Sequence, residues 1–290
     1  MQPFELHQPD TLDEVLSLLE QEPDDTHLIA GGTSLMLLMQ LGLVEPKRVV
    51  ALRKVPGLDG IERTPDGGLR IGTMATHRQA ETSEAVRAHC GALRKTFADV
   101  ATVRIRNQGT VGGNIAHADP AQDPPPMLIA LGAEAVLRSK NGERSVPLDE
   151  FFLGYLTSVM QPGEVLMEIR VPPLPPGSRA RYEKFLPRTQ DDYATVSVAA
   201  TLRTNGDGKC EDVRVALGSV GGTPIHARPV EDALRGETLT DSRIADAAAL
   251  VLDLVDPPDD ARGSADYKRR MARVWTERAL KRLRDNGAMA

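Results

Sequence analysis

The stretch Arg104-Ile105-Arg106-Asn107-Gln108-Gly109-Thr110-Val111-Gly112-Gly113-Asn114 constrains this chain most, because it places three glycines within five positions. Glycine has no Cβ and accepts positive φ, so a loop of this composition can turn consecutive N–H groups inward and let an anion approach the backbone. The spacing also excludes two standard phosphate loops. No lysine followed by Ser or Thr closes the run, and Gly109-Thr110-Val111-Gly112-Gly113 is not G-x-G-x-x-G. Taken alone, the run reads more readily as an ordinary tight turn.

A second run of similar chemistry lies upstream, Leu28-Ile29-Ala30-Gly31-Gly32-Thr33-Ser34-Leu35. An apolar strand enters two glycines, and a hydroxyl residue then opens an apolar helical stretch. A helix start of this kind carries unpaired donors and partial positive charge, both suited to phosphate. Two such loops facing each other embrace a pyrophosphate from both sides.

Composition narrows the classes. Lys plus Arg is 35 against 41 for Asp plus Glu, a formal charge of -6 and a pI near 5.6, which argues against general affinity for nucleic acid. An acidic protein holds a pyrophosphate through local dipoles, not through its overall field. The two cysteines, Cys90 and Cys210, stand far apart with no cluster-ligand spacing, so no iron–sulfur centre is expected on this chain. The six histidines form no paired metal spacing. The first residues do not read as a signal peptide, and no apolar run reaches membrane-spanning length. A cytoplasmic protein is expected, with any membrane association made through partners.

The chain in order reads as follows. A short strand near Phe4 leads to the capping box Thr11-Leu12-Asp13-Glu14, with Leu12, Val15, Leu16 and Leu19 at helical spacing. A strand from His27 to Ala30, the first glycine run, a helix from Ser34 to Leu41 and a strand from Arg48 to Leu52 complete a β-α-β-α-β unit. Its loop sits where α/β folds usually place ligands. Thr76-His77-Arg78-Gln79 is another capping box, and Val86, Cys90, Leu93, Phe97 and Val100 predict one following helix with Cys90 in its packed face. Pro124-Pro125-Pro126 starts a helix, and Asn141-Gly142 marks a two-strand hairpin. Beyond the stiff linker Pro172–Gly177, strands and then helices predict an α+β unit. The last helix carries Lys268, Arg269, Arg270, Arg273, Arg278, Lys281, Arg282 and Arg284, expected as a solvated basic face.

Read together, Ala30-Gly31-Gly32-Thr33-Ser34-Leu35 and Thr110-Val111-Gly112-Gly113-Asn114, with Asp123 nine residues beyond, resemble the FAD-binding subunit of the molybdenum hydroxylases. That family includes the medium subunits of aerobic carbon monoxide dehydrogenase and of bacterial xanthine, nicotine and quinoline dehydrogenases. The resemblance extends over essentially the whole chain. It implies an α+β fold: a two-part FAD-binding domain of the vanillyl-alcohol-oxidase (PCMH) type, over 1–55 and 56–173, and a C-terminal α/β domain over 178–290 with a small antiparallel sheet and helices. It implies FAD on this chain, its pyrophosphate wrapped by Leu28, Ile29, Ala30, Gly31, Gly32, Thr33, Ser34 and Leu35 and by Thr110, Val111, Gly112, Gly113 and Asn114. Asp123 is then expected at cofactor hydroxyls, since a carboxylate repels a diphosphate, although a helix N-cap before Pro124 fits that position too. Leu166 supplies apolar contact, Lys184 a cation near the flavin, and Tyr193 a ring against the isoalloxazine. No catalytic side chain is implied beyond these.

The resemblance further implies partners: a large molybdopterin-binding subunit and a small subunit with two iron–sulfur clusters, in a dimer of heterotrimers, with an external electron acceptor. Another reading of the same superfamily is a self-contained flavin oxidoreductase. Covalent attachment of FAD needs His or Cys near the glycine runs, and only His117 lies close.

Overall fold

The computed structural model describes residues 2–187, 189 and 191–285. The first strands form a three-stranded parallel sheet, with Arg48–Ala51 at its centre between Glu5–His7 and Thr26–Ile29. Helix Leu12–Gln21 covers it through Val15, Leu16 and Leu19, all buried. The capping box forms one residue out of register on its return side. Thr11 accepts from the Glu14 amide, but the Glu14 carboxylate accepts from the amide of Asp10. The core of this unit also takes in Val55, Leu58 and the distant Val165.

A five-stranded antiparallel sheet follows, in the order Ile61–Arg63, Leu69–Gly72, Val165–Val171, Glu134–Ser139, Gly142–Pro147. The Asn141-Gly142 hairpin joins its last two strands as expected. The helix predicted through Cys90 is interrupted twice. Ser83 is extended and caps the amide of Val86, and Cys90, at φ -158°, separates helix Glu84–His89 from Gly91–Ala98. A serine whose hydroxyl bonds the backbone ahead competes with helix continuation. The apolar periodicity survives the breaks: Val86, Leu93 and Phe97 are fully buried. Cys90 is buried as well, and burial pushes its thiol up, as a packing residue requires.

The C-terminal unit is an antiparallel sheet of Arg179–Phe185, Val196–Thr204, Cys210–Gly218 and Ile225–His226, with helices Arg228–Leu234, Asp241–Ala249 and Ala265–Asp285. Residues 196–202 of its second strand are buried without alternation. Two helices pack against this strand, Pro124–Ala130 from the preceding unit and Ala265–Asp285 from its own, and a strand covered on both faces needs no polar side. Every residue of helix Pro124–Ala130 is buried, so this short apolar rod is the joint between the two parts of the molecule.

The last helix keeps only part of its expected solvated basic face: Arg270, Arg273 and Arg278 are exposed, but others are engaged. Lys268 is 2 % exposed and pairs with Asp260, Arg269 donates to the carbonyls of Val255 and Leu252, and Arg282 pairs with Glu183. Long basic side chains here lay their stems on apolar surface and close local carbonyls and carboxylates. No helix among the described residues is long and apolar enough to cross a membrane.

Candidate functional site

The two glycine runs meet. A Cβ built on Gly31 would stand 2.0 Å from the carbonyl oxygen of Gln108, one on Gly113 would stand 3.6 Å from Ala30 Cβ, and one on Gly109 would stand 3.4 Å from Thr33 Oγ1. Only a residue without a side chain lets the strand end at Ile29 pass so close to the second run. Gly32 turns the chain at φ +74°, and its carbonyl then accepts from the Met36 amide to begin helix Leu35–Gln40.

The runs differ in what they offer. The amides of Gly31, Gly32, Thr33 and Ser34 donate to no protein acceptor among the described residues, and this turn is half-buried. The second run is no open loop. Thr110 caps helix Val111–His117, and the amides of Val111, Gly112, Gly113 and Asn114 donate to Ala75 O, Thr73 O, Thr110 Oγ1 and Thr110 O at 2.8 to 3.0 Å. Its glycines therefore serve close approach. A Cβ on Gly112 would lie 1.8 Å from Thr73 Oγ1, so Gly112 seats the helix on the end of strand Leu69–Gly72, while Gly113 faces the first run. In sequence, Thr110 through Asn114 read as a loop that bares its amides; the structure instead makes Thr110 a helix cap, and the capped turn uses those amides within the protein.

Two buried polar atoms near this junction lack a hydrogen-bond partner among the described residues, Asn114 Oδ1 and His77 Nδ1. Asn114 is buried, its amide nitrogen donates to Gln122 Oε1, and its Oδ1 meets nothing. A buried unpaired carbonyl of this kind costs stability unless a ligand or water reaches it.

Behind the junction sits a buried ionic group. Both Asp123 oxygens are engaged, Oδ1 by Tyr182 OH at 2.6 Å and Oδ2 by Lys184 Nζ at 2.9 Å, and Lys184 also donates to Asp99 O at 2.7 Å. The Asp123 and Lys184 side chains are each 5 % exposed. Burial pushes the Asp123 carboxyl up to about 6 against the opposing pull of Lys184. Asp123 precedes helix Pro124–Ala130 without capping it by side chain. Leu166 is buried inside the five-stranded sheet. Tyr193 is 37 % exposed, with Arg262 over its ring at 5.4 Å, and burial pushes its hydroxyl up to about 12. The structure thus brings the glycine runs together, leaves Tyr193 partly exposed under Arg262, and buries Asp123, Lys184 and Leu166. Tyr182 and the Asp99 carbonyl were missed in the sequence reading, because no local pattern links residues so far apart.

His77 supports the second run from below. Its amide donates to Gly109 O, its ring packs against Phe97, and burial, with the charge of Arg106, lowers its imidazole to about 4. Its folded value lies below the ordinary 6.5, so the neutral ring costs nothing above that pH. As pH falls from 6.5 toward 4 the unfolded chain gains a proton that the folded one refuses, and stability of up to about 3 kcal/mol is lost. Asp123 acts in the opposite sense over an overlapping range, so the effect is read by difference. Denaturant midpoints measured from about pH 7 to about pH 4.5 should fall less in His77→Gln than in wild type. Parallel curves would contradict the assignment.

A profile described as the FAD binding domain in molybdopterin dehydrogenase matches residues 2–174. The chain belongs to this family. A second profile, the CO dehydrogenase flavoprotein C-terminal domain, matches residues 181–283. The carbon monoxide dehydrogenase medium chain of Hydrogenophaga pseudoflava is 36 % identical over 277 residues, covering 96 % of each chain. The 6-hydroxypseudooxynicotine dehydrogenase complex subunit alpha of Paenarthrobacter nicotinovorans is 35 % identical, covering 93 % of this chain and 91 % of its own. The solved carbon monoxide dehydrogenase from Hydrogenophaga pseudoflava, in the form that lacks the Mo-pyranopterin moiety of the molybdenum cofactor, superposes with a TM-score of 0.93 at 37 % identity. That match covers 97 % of this chain and 98 % of the solved one. As a molybdopterin-dehydrogenase flavoprotein, this chain is an oxidoreductase subunit with an FAD-binding domain and a C-terminal domain. The residues present suit that cofactor: four adjacent unpaired amides answer a diphosphate, and the orphaned Asn114 carbonyl answers a hydroxyl or amide donor.

Proposed function

We propose that this chain is the electron-transfer subunit of a molybdenum hydroxylase complex. It takes electrons from two iron–sulfur clusters on a small partner subunit, which are fed by a large molybdopterin-binding subunit, and passes them to an external acceptor. The assembly is a dimer of such heterotrimers. FAD, when bound, supplies the exchange between single electrons and pairs. The observation that carries the reading is the contact of the two glycine runs beside the unpaired amides of Gly31 through Ser34.

The side chains then divide the work. Leu28 through Leu35 bind the diphosphate through main-chain donors, and Thr110 through Asn114 close the other side, with Gly113 giving room and Asn114 offering its carbonyl. Tyr193 lies against the ring system. Lys184, oriented by Asp123 and the Asp99 carbonyl, would supply a fixed cation near the bound flavin, and Leu166 would supply apolar contact. An ammonium in a site with little water stabilises negative charge appearing on reduction far better than the same group in solvent. Residues 1–55 and 56–173 act as the two FAD-binding subdomains, and 178–290 as the C-terminal domain.

The test uses the assembled complex isolated from its native source. Acid-released FAD should be found at one per copy of this chain. Reducing the iron–sulfur clusters should bleach the flavin's visible band, and dissociating the chain should abolish that bleaching. Flavin reduced by an organic substrate on this chain alone would contradict the reading and favour a self-contained oxidoreductase.

A further inference from the structure

The two parts of the molecule share a cavity of about 500 Å³ that includes no residue of either glycine run. His226, at the end of strand Ile225–His226, lines it with its side chain 14 % exposed. Its Nδ1 lies 2.8 Å from Asp149 Oδ2, on helix Leu148–Phe151 of the FAD-binding domain. Its Nε2 lies 2.8 Å from Glu231 Oε1, on helix Arg228–Leu234 of the C-terminal domain. Other donors hold both acceptors as carboxylates: Arg228 reaches Asp149 Oδ2 at 2.6 Å, and the Val215 amide reaches Glu231 Oε1 at 2.8 Å. Arg228 Nε also lies 3.4 Å from Nδ1, but the carboxylate oxygens stand nearer, at 2.8 Å on each side, and a carboxylate only accepts, so both ring nitrogens carry hydrogen. We propose that the His226 imidazolium is a pH-governed clasp that fastens the C-terminal domain to the FAD-binding domain across this cavity.

The other charged groups facing the cavity favour a cation here. Glu134 and Glu150 come from the FAD-binding domain, Asp212 and Arg214 from strand Cys210–Gly218, and Asp232 and Arg235 from helix Arg228–Leu234. Of the two arginines, Arg235 is paired with Asp232. Burial alone lowers the imidazole, but the bonds to Glu231 and Asp149 outweigh it and hold His226 above its ordinary value. A raised value means the clasp is closed at and below neutral pH and opens as pH rises through that value.

The side that opens follows from the partners. Glu231 is 5 % exposed and, among the described residues, pairs directly only with His226, with Arg228 acting on it from further off, whereas Asp149 keeps its direct pair with Arg228. The last ring hydrogen therefore stays on Nε2 toward Glu231. The bond given up is the one to Asp149, one of two that Asp149 makes with the C-terminal domain, and Arg228 alone then holds Asp149 across the boundary.

Hydrogen exchange on the full chain, normalised for the intrinsic effect of pH, reads this directly. Between about pH 6 and about pH 9, exchange around Leu148–Phe151 should rise on the order of tenfold in wild type, while strand Val165–Val171 stays unchanged. Asp149→Asn, which keeps the His226–Glu231 pair, should show the faster exchange at every pH, and His226→Gln should show no pH step. Nitrogen-15 spectra of the wild-type chain at about pH 6 should show both His226 ring nitrogens protonated. They remain decisive if His226→Gln fails to fold. A neutral ring at that pH, or exchange in wild type that does not respond to pH, would overturn the proposal.

Discussion

Gly31→Ala is expected to strip the protein of FAD. The added methyl carbon would stand 2.0 Å from the Gln108 carbonyl oxygen and 3.0 Å from Gly109 Cα, all backbone atoms that have no rotamer to yield. Relief requires the two glycine runs to separate, and the unpaired amides of Gly31 through Ser34 then lose their alignment with the second run. Overpacking of this kind costs about 1–3 kcal/mol in stability. The loss in cofactor is larger, because a diphosphate gripped by several amides depends on all of them at once, so FAD affinity should fall at least roughly a hundredfold. Flavin released from the purified complex measures it. Gly206→Ala is the control, since a Cβ there meets nothing within 4 Å, and it should retain FAD. A Gly31→Ala protein with normal flavin content would mean that the contact is not what positions the cofactor.

Lys184→Met should destabilise the fold more than any surface change. It leaves Asp123 almost fully buried, with only Tyr182 to satisfy it. Removing one member of a buried ion pair typically costs about 3–5 kcal/mol, mostly through the charge left behind. The free energy should therefore be partly recovered in Asp123→Asn/Lys184→Met, where no charge remains and the Asn carbonyl still accepts from Tyr182. Denaturant unfolding of the single and double variants gives the coupling. A cost for Lys184→Met below about 0.5 kcal/mol would show that solvent reaches the pair.

Much of the fold was legible because its signals are local. The Thr76 capping box, the Asn141-Gly142 hairpin and the buried periodicity of Val15, Leu16 and Leu19 each follow from neighbours within a few residues. What escaped depends on distance in the chain. The helix predicted across Cys90 is broken at Ser83, which spends its hydroxyl on the backbone ahead, and again at Cys90, whose backbone is extended; spacing reveals neither. The basic residues of helix Ala265–Asp285 look solvated in sequence, yet several close acceptors supplied by other segments, such as Asp260 and Glu183. The same limit applies at the site. Two glycine runs announce themselves by composition, and their different duties appear only once Thr73 and Ala75 are seen to consume the second run's amides. The link of Asp123 to Tyr182 and Lys184 crosses from one domain to the next and leaves no pattern in either.

A structure of the assembled, FAD-loaded complex, fine enough to place the diphosphate, tests the central claim most directly. Diphosphate oxygens should lie within about 2.7–3.2 Å of the Gly31 through Ser34 amides, with Gly113 facing them and the amides of Val111 through Asn114 still bonded within the protein. A diphosphate held elsewhere, with those four amides turned to solvent, would contradict the account.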